Sequence, residues 1–333
     1  FTAQIVGFLQ ITKFLFNLFP TDQQILNLLW SFSDFESENN YLKLWNLHRQ
    51  THQIYAQEPR PFVKWAGGKR QLLPELEKNF PKKFDTYFEP FLGGGAVMFN
   101  LLSKRPNMKC HVSDLNSDLI LAYVAIRDKV GELIESLENH LKKYQKNPSQ
   151  YYYQIRESEP ISQIEKVSKL LFLNKTCFNG LYRVNSKGKF NVPLGRYTNP
   201  NIVNKDNLLA VSQTLQSSNI EFFCRDFEAV LHDIKKGDFV YFDPPYQPVS
   251  NTANFTSYTN KSFTDDDLQR LANLAEKLDS MGCKVLLSNS KSQIVENLFS
   301  SSKWNIKEIR VNRAINSDSK KRTGHYEFLI KNY

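Results

Sequence analysis

The chain has 333 residues, more than one average domain, and its 25 Phe and 15 Tyr within a 41% hydrophobic fraction supply enough apolar surface to offset chain entropy, which excludes intrinsic disorder. Cys110, Cys177, Cys224 and Cys283 lie tens of residues apart, which excludes zinc ribbons and disulfide scaffolds and fits a reducing, cytoplasmic compartment. The net charge of +9 sits in two patches, six basic and no acidic residues from Asn174 to Lys205 and seven basic against two acidic from Lys303 to Arg322, the footprint of a polyanion binder.

The first residue is Phe1 rather than Met, as expected of a fragment or a processed chain. Residues 1–57 carry Ile5, Phe8, Leu9, Ile11, Phe14, Leu15, Ile25, Leu28 and Leu29 at mixed helical spacing, which predicts two or three short amphipathic helices without a chemical motif. The apolar stretch from Ile5 to Phe19 is broken by Lys13 and stopped by Pro20, too short for a membrane span, and no membrane attachment is expected. Glu58-Pro59-Arg60-Pro61 reads as a turn that separates these residues from the rest of the chain.

Asp85 to Glu89 reads as a strand running into Gly93-Gly94-Gly95, with helical character from Ala96 to Leu102. A second strand, Lys109 to Ser113, ends at Asp114; helical patterns occupy Leu119 to Tyr144 and Tyr151 to Leu173, the latter broken at Pro160. Asn174 to Pro200 is rich in Gly, Asn and Pro and reads as loop and hairpin. The apolar strand Phe239 to Phe242 ends at Asp243-Pro244-Pro245-Tyr246; a helix from Thr264 to Met281, a strand from Lys284 to Ser288 and strands around Ile306–Val311 and Tyr326–Ile330 complete the chain. Strand and helix alternating, with ligand-type residues at strand ends, is the doubly wound α/β pattern.

Three glycines after a buried strand permit a tight turn and close ligand approach. A nicotinamide fingerprint needs glycine at 98, which is Met98, and a P-loop needs Ser or Thr at 70, which is Arg70. Asp114 at the end of the next strand suits the two ribose hydroxyls of a nucleoside cofactor, or caps a helix. Two prolines after an apolar strand remove two backbone donors and hold their neighbours rigidly. That rigidity is useful if Asp243 and the Pro244 carbonyl accept the two hydrogens of an amine while Tyr246 stacks on a flat base; the alternative is a rigid turn with a capping Asp and a core Tyr.

Phe62 to Lys69 (FVKWAGGK), Phe88 to Gly95 (FEPFLGGG) and Asp243 to Tyr246, in that order, closely resemble the Dam-type DNA adenine-N6 methyltransferases. The likeness extends through Asn174 to Arg183, Phe190 to Tyr197, Asn254 to Tyr258 and a stretch from Arg313 to Arg322, and covers residues 61–333. The resemblance implies an S-adenosylmethionine-dependent enzyme acting on double-stranded DNA. Its fold would be a Rossmann-like doubly wound sheet (58–120 and 221–333) with an inserted, mainly helical plus hairpin DNA-recognition domain (121–220).

It further implies Asp243, Pro244 and Tyr246 as catalytic residues, and Trp65, Lys69, Phe91, Gly93, Asp114, Asp226, Phe227 and Asp243 around the cofactor. Lys64, Phe178, Asn179, Leu181, Arg183 and Arg196 would lie on DNA, with GATC as target and Arg183 reading guanine. A monomer without metal is expected, and a partner restriction endonuclease is compatible with the resemblance. The chain departs from the family pattern at Phe178, where Tyr is common, and residues 1–57 have no counterpart in it. None of the four cysteines follows proline, which excludes cytosine-C5 chemistry; cytosine-N4 methylation, whose tetrapeptide more often begins with Ser, and a silent DNA-binding homologue are the alternatives.

Overall fold

The computed structural model describes residues 58–65, 67–185, 187–246, 263–311 and 325–333. The helices expected in 1–57, the motif at 254–258 and the 313–322 stretch lie outside the described residues. Elements run in the order α1 (Leu73–Glu77), β1 (Thr86–Glu89), α2 (Ala96–Lys104), β2 (Lys109–Asp114), α3 (Ser117–Lys146), α4 (Pro148–Glu157), α5 (Gln163–Thr176), α6 (Lys205–Ser217) and β3 (Asn219–Cys224). Then come β4 (Phe239–Phe242), α7 (Asp265–Ser280), β5 (Lys284–Ser290), α8 (Gln293–Leu298), β6 (Asn305–Val311) and β7 (His325–Lys331).

The strands form one seven-stranded sheet in the order β3-β2-β1-β4-β5-β7-β6, with β1 to β5 parallel and β7 antiparallel to both neighbours. From β1 the chain winds outward through β2 and β3, then returns to the far side of β1 and winds the other way. The reversal between β1 and β4 opens a crevice beyond their carboxyl ends, where ligands of such sheets bind.

Alternation along each central strand fills both faces. Tyr87, Phe239, Tyr241 and Leu286 join the core under α2, α3 and α5, while Phe88, Val240, Phe242, Val285 and Leu287 join the core under α7. Fully apolar strands are what a sheet covered on both faces requires.

The β2–β3 crossover, Leu115 to Ser218, is far longer than one helix needs. Asn116 caps α3 by accepting the Leu119 amide, and α3 leaves helical geometry at Lys129 (φ −141°, ψ 36°), so the helix changes direction within the crossover. The break at Pro160 separates α4 from α5, whose start is a capping box of Ser162 and Glu165. After α5 the chain makes a short turn, Phe178–Gly180, and a small hairpin closed by Val184–Phe190 and Cys177–Leu194 bridges. The expected boundary between residues 220 and 221 falls inside β3.

Candidate active site

Every candidate residue of the parallel strands stands at a carboxyl end. β1 ends in Glu89 and leads into the glycine turn, where Gly93 (φ 48°) and Gly95 (φ 69°) take left-handed backbone that favours glycine. A Cβ on Gly95 would lie 2.6 Å from the Tyr123 hydroxyl, and one on Gly93 2.9 Å from Trp65 Cδ1. The turn is thus packed between two aromatic rings and open to a ligand only through its backbone.

Asp114 at the end of β2 accepts the Gly93 amide (2.9 Å, Oδ2) and the Asn116 amide (2.9 Å, Oδ1), tying the glycine turn to β2. Asn116, not Asp114, caps α3, so the capping alternative does not hold. A carboxylate oxygen can accept more than one hydrogen bond, which leaves capacity for a diol. Burial pushes the Asp114 carboxyl above the ordinary aspartate value, against the pull of its backbone donors.

Phe91 stacks on Phe227 at 5.3 Å between ring centroids, with Phe263 edge-on to Phe91 at 6.0 Å. Asp226 caps the turn at Phe227 through the Glu228 amide (3.0 Å) and holds Arg270 at 2.9 Å. Arg270 also pairs with Glu228 (2.6 Å) and Asp267 (2.8 Å) and lies 4.8 Å over the Phe227 ring. Asp226 therefore belongs to an ion cluster that fixes the aromatic wall.

At the end of β4, Asp243 pairs through Oδ1 with Lys69 Nζ at 2.8 Å and accepts the Ser288 hydroxyl at 3.1 Å. Lys69 is 4% exposed; its ammonium also donates to the Gly67 carbonyl (2.9 Å) and lies 4.6 Å over the Tyr246 ring. Burial pushes the Asp243 carboxyl above its ordinary value and Lys69 opposes the rise. The Tyr246 hydroxyl donates to Glu327 at 2.7 Å, and its burial beside two carboxylates keeps the phenol protonated. Behind this group, buried Glu89 accepts the Tyr87 hydroxyl (2.8 Å) and is pushed up to about 8 by desolvation. Sequence reasoning passed over Glu89, Ser288 and Glu327, all buried polar groups on strands.

Of the residues expected on DNA, Lys64 and the turn that carries Phe178 and Asn179 are joined next to Trp65. Buried Asn174 accepts the Lys64 amide (2.8 Å) and donates to the carbonyls of Lys64 (2.8 Å) and Gly180 (3.1 Å), joining the Trp65 loop to the Phe178–Gly180 turn. Sequence reasoning gave Asn174 no role of its own. Lys64 Nζ donates to the Tyr197 hydroxyl at 3.2 Å, Phe178 is 44% exposed and Asn179 takes left-handed backbone (φ 55°). Leu181 packs against the core, and Arg196 is exposed. Arg183 Nε donates to Asn191 Oδ1 at 2.8 Å across the hairpin, fixing one edge of the guanidinium. Trp65 rests against Tyr182 at 5.3 Å between ring centroids.

Among the described residues no helix is long and apolar enough to cross a membrane, and no three His, Cys, Asp or Glu side chains are grouped to hold a metal ion.

Residues 65–315 match the family model described as D12 class N6 adenine-specific DNA methyltransferase. A Methanocaldococcus jannaschii protein, type II methyltransferase M.MjaIII, is 44% identical over 83% of this chain and 100% of its own. Type II methyltransferase M1.LlaDCHI of Lactococcus lactis subsp. cremoris is 42% identical over 82% of this chain and 95% of its own, and a DNA adenine methylase of Escherichia coli (strain K12) is 33% identical over 82% and 95%. A match of this extent decides between adenine N6 and cytosine N4: the chain belongs to the D12 class of N6 adenine-specific DNA methyltransferases.

Proposed function

We propose that the chain transfers a methyl group from S-adenosylmethionine to the N6 amine of an adenine turned out of double-stranded DNA, with GATC as its target. The observation that carries this reading is the position of the Lys69 ammonium: a nitrogen donor 2.8 Å from Asp243 and 4.6 Å over the Tyr246 ring. An amine on a base stacked against Tyr246 needs the same acceptor, so Lys69 withdraws as the base enters. The exocyclic amine of adenine is a poor nucleophile because its lone pair is delocalised into the ring. Asp243 and the Pro244 carbonyl, accepting its two hydrogens out of the ring plane, draw the nitrogen toward tetrahedral geometry and free the lone pair.

The residues at the other carboxyl ends fit the cofactor: the glycine turn is closed to any side chain, Asp114 has acceptor capacity for a diol, and Phe91 with Phe227 offers an apolar wall for a purine. Trp65, packed against Gly93, and Lys69 line the cofactor pocket in this reading. The bound cofactor supplies an electrophilic methyl group; orientation and charge come from the chain. The β2–β3 crossover is the recognition unit of this reading, with its Phe178, Asn179, Leu181, Arg183 and Arg196, and Lys64 from before β1, facing DNA. The test is methylation of a defined duplex with a labelled donor and mapping of the modified base; label on a base other than adenine defeats the reading.

Base rotation has its own check. With 2-aminopurine in place of the target adenine, binding is expected to change its fluorescence, because a paired base hides its amine from in-line attack. Unchanged fluorescence in the bound complex contradicts the rotation.

Arg183 is the proposed reader of guanine, since a guanidinium held by Asn191 presents its remaining donors in a fixed plane. Arg183→Ala is expected to cost about 1–3 kcal/mol on the cognate site and to relax discrimination at one position. Equal losses on GATC and on single-substituted sites make Arg183 a phosphate contact instead.

A further inference from the structure

β7 runs against the parallel strands, so its beginning rather than its end lies at the catalytic edge of the sheet. Register places Glu327, its third residue, opposite Ser290 at the carboxyl end of β5 on one side and Ile309 of β6 on the other. A glutamate of the last strand is thereby brought to the Asp243–Tyr246 corner. It is 6% exposed, and its Oε2 accepts the Tyr246 hydroxyl at 2.7 Å.

A carboxylate buried in a strand is costly, and a structural tie between a loop and a sheet does not need one. Here its partner is the aromatic residue that ends the rigid Asp-Pro-Pro-Tyr turn, and the opposite side of the corner holds the Lys69 ammonium over the same ring. A ring fixed only at its Cβ end can swing about χ1; a short, charge-assisted bond at its hydroxyl, which lies on the ring's long axis, holds the direction of that axis. We infer that Glu327 is a positioning residue for methyl transfer, which holds the far end of the Tyr246 ring in place so that a base stacked on it presents its amine to Asp243. This inference rests on the reading of Tyr246 as the base platform. Glu327 itself touches no reacting atom and acts through the tyrosine hydroxyl.

The chemistry defines the test. Glu327→Leu removes the acceptor, Glu327→Gln keeps one, and Tyr246→Phe keeps the platform but removes the donor. Single-turnover methylation of a defined duplex is expected to slow roughly tenfold or more in Glu327→Leu, as losing the partner of a buried polar group does, with duplex affinity little changed. Glu327→Gln recovers most of the rate. Tyr246→Phe loses about as much as Glu327→Leu, and the double variant Tyr246→Phe/Glu327→Leu is no slower than either single one, because both remove the same bond. With 2-aminopurine at the target, the bound emission of Glu327→Leu differs from that of the wild type as stacking loosens.

Losses that multiply in the double variant, or a wild-type rate in Glu327→Leu, overturn the anchor. If Glu327→Leu does not fold, Tyr246→Phe decides: a wild-type rate overturns the inference, and a tenfold loss at normal affinity supports it. Asp243→Ala separates the two levels. An inactive Asp243→Ala beside fully active Glu327→Leu and Tyr246→Phe removes only the anchor, whereas an active Asp243→Ala removes the reading on which it rests.

Discussion

Asp243→Ala is expected to lower methyl transfer by about 10²–10³-fold, the usual effect of removing one preorganised partner of a group whose charge develops in the transition state. Two terms contribute. In the proposed mechanism one of the two acceptors that would pull the amine out of conjugation is lost, and the carboxylate that would face the cationic methylated amine is lost with it. The substitution also leaves Lys69 buried without its 2.8 Å partner, so some stability is expected to go too. Thermal melting tracked by circular dichroism separates the effects: a folded protein that binds duplex but does not incorporate labelled methyl is the expected result. Wild-type turnover in a folded Asp243→Ala protein removes Asp243 from the chemistry.

The parallel core of the fold was legible because β1, β4 and β5 are buried on both faces and carry adjacent apolar residues, Tyr87-Phe88, Phe239 to Phe242 and Val285 to Leu287. β3 escaped because it is an edge strand, half-exposed, and its Ile220 is its one buried residue. α6 escaped for a different reason. Asn204, before it, is a favoured capping type, but it follows the Gly-, Asn- and Pro-rich stretch in which asparagine reads as loop, and in the structure it takes left-handed backbone and makes no side-chain cap. α8 has only six residues, too few for a helical period to stand out.

The same contrast runs through the site. Asp243 announces itself because it ends an apolar strand before two prolines, and Asp114 because it ends the strand that follows the glycine turn. Lys69 was expected at the cofactor from the family resemblance; its bond to Asp243 joins the two halves of the doubly wound sheet and leaves no mark in local sequence. Glu327 and Ser288 depend on β7 entering antiparallel between β5 and β6, a register that residue spacing alone does not fix. Asp226 was placed beside the cofactor; its tie to Arg270 spans 44 residues and makes it part of the wall that holds Phe227.

Glu89 gives the second large effect, and its sign comes from linkage. Its carboxyl rises from 4.5 to about 8 because it is buried at the end of β1, with the charges of Asp243 and Asp114 adding to the rise and the Tyr87 hydroxyl and Met98 amide opposing it. Between these values the folded protein keeps a proton that the unfolded chain releases, so the folded state binds more protons and stability falls as pH rises. The loss begins near the unfolded value, is complete above about 8, and reaches a few kcal/mol at roughly 1.4 kcal/mol per pH unit. Glu89→Gln cannot ionise, yet keeps an oxygen for Tyr87 and the start of α2. Melting temperatures of the two proteins are therefore expected to lie close at pH 5, to separate up to about pH 8 and to keep a constant gap above it, with Glu89→Gln the more stable. Parallel curves across that range mean that Glu89 is ionised at neutral pH, and that a second buried negative charge stands behind Asp243.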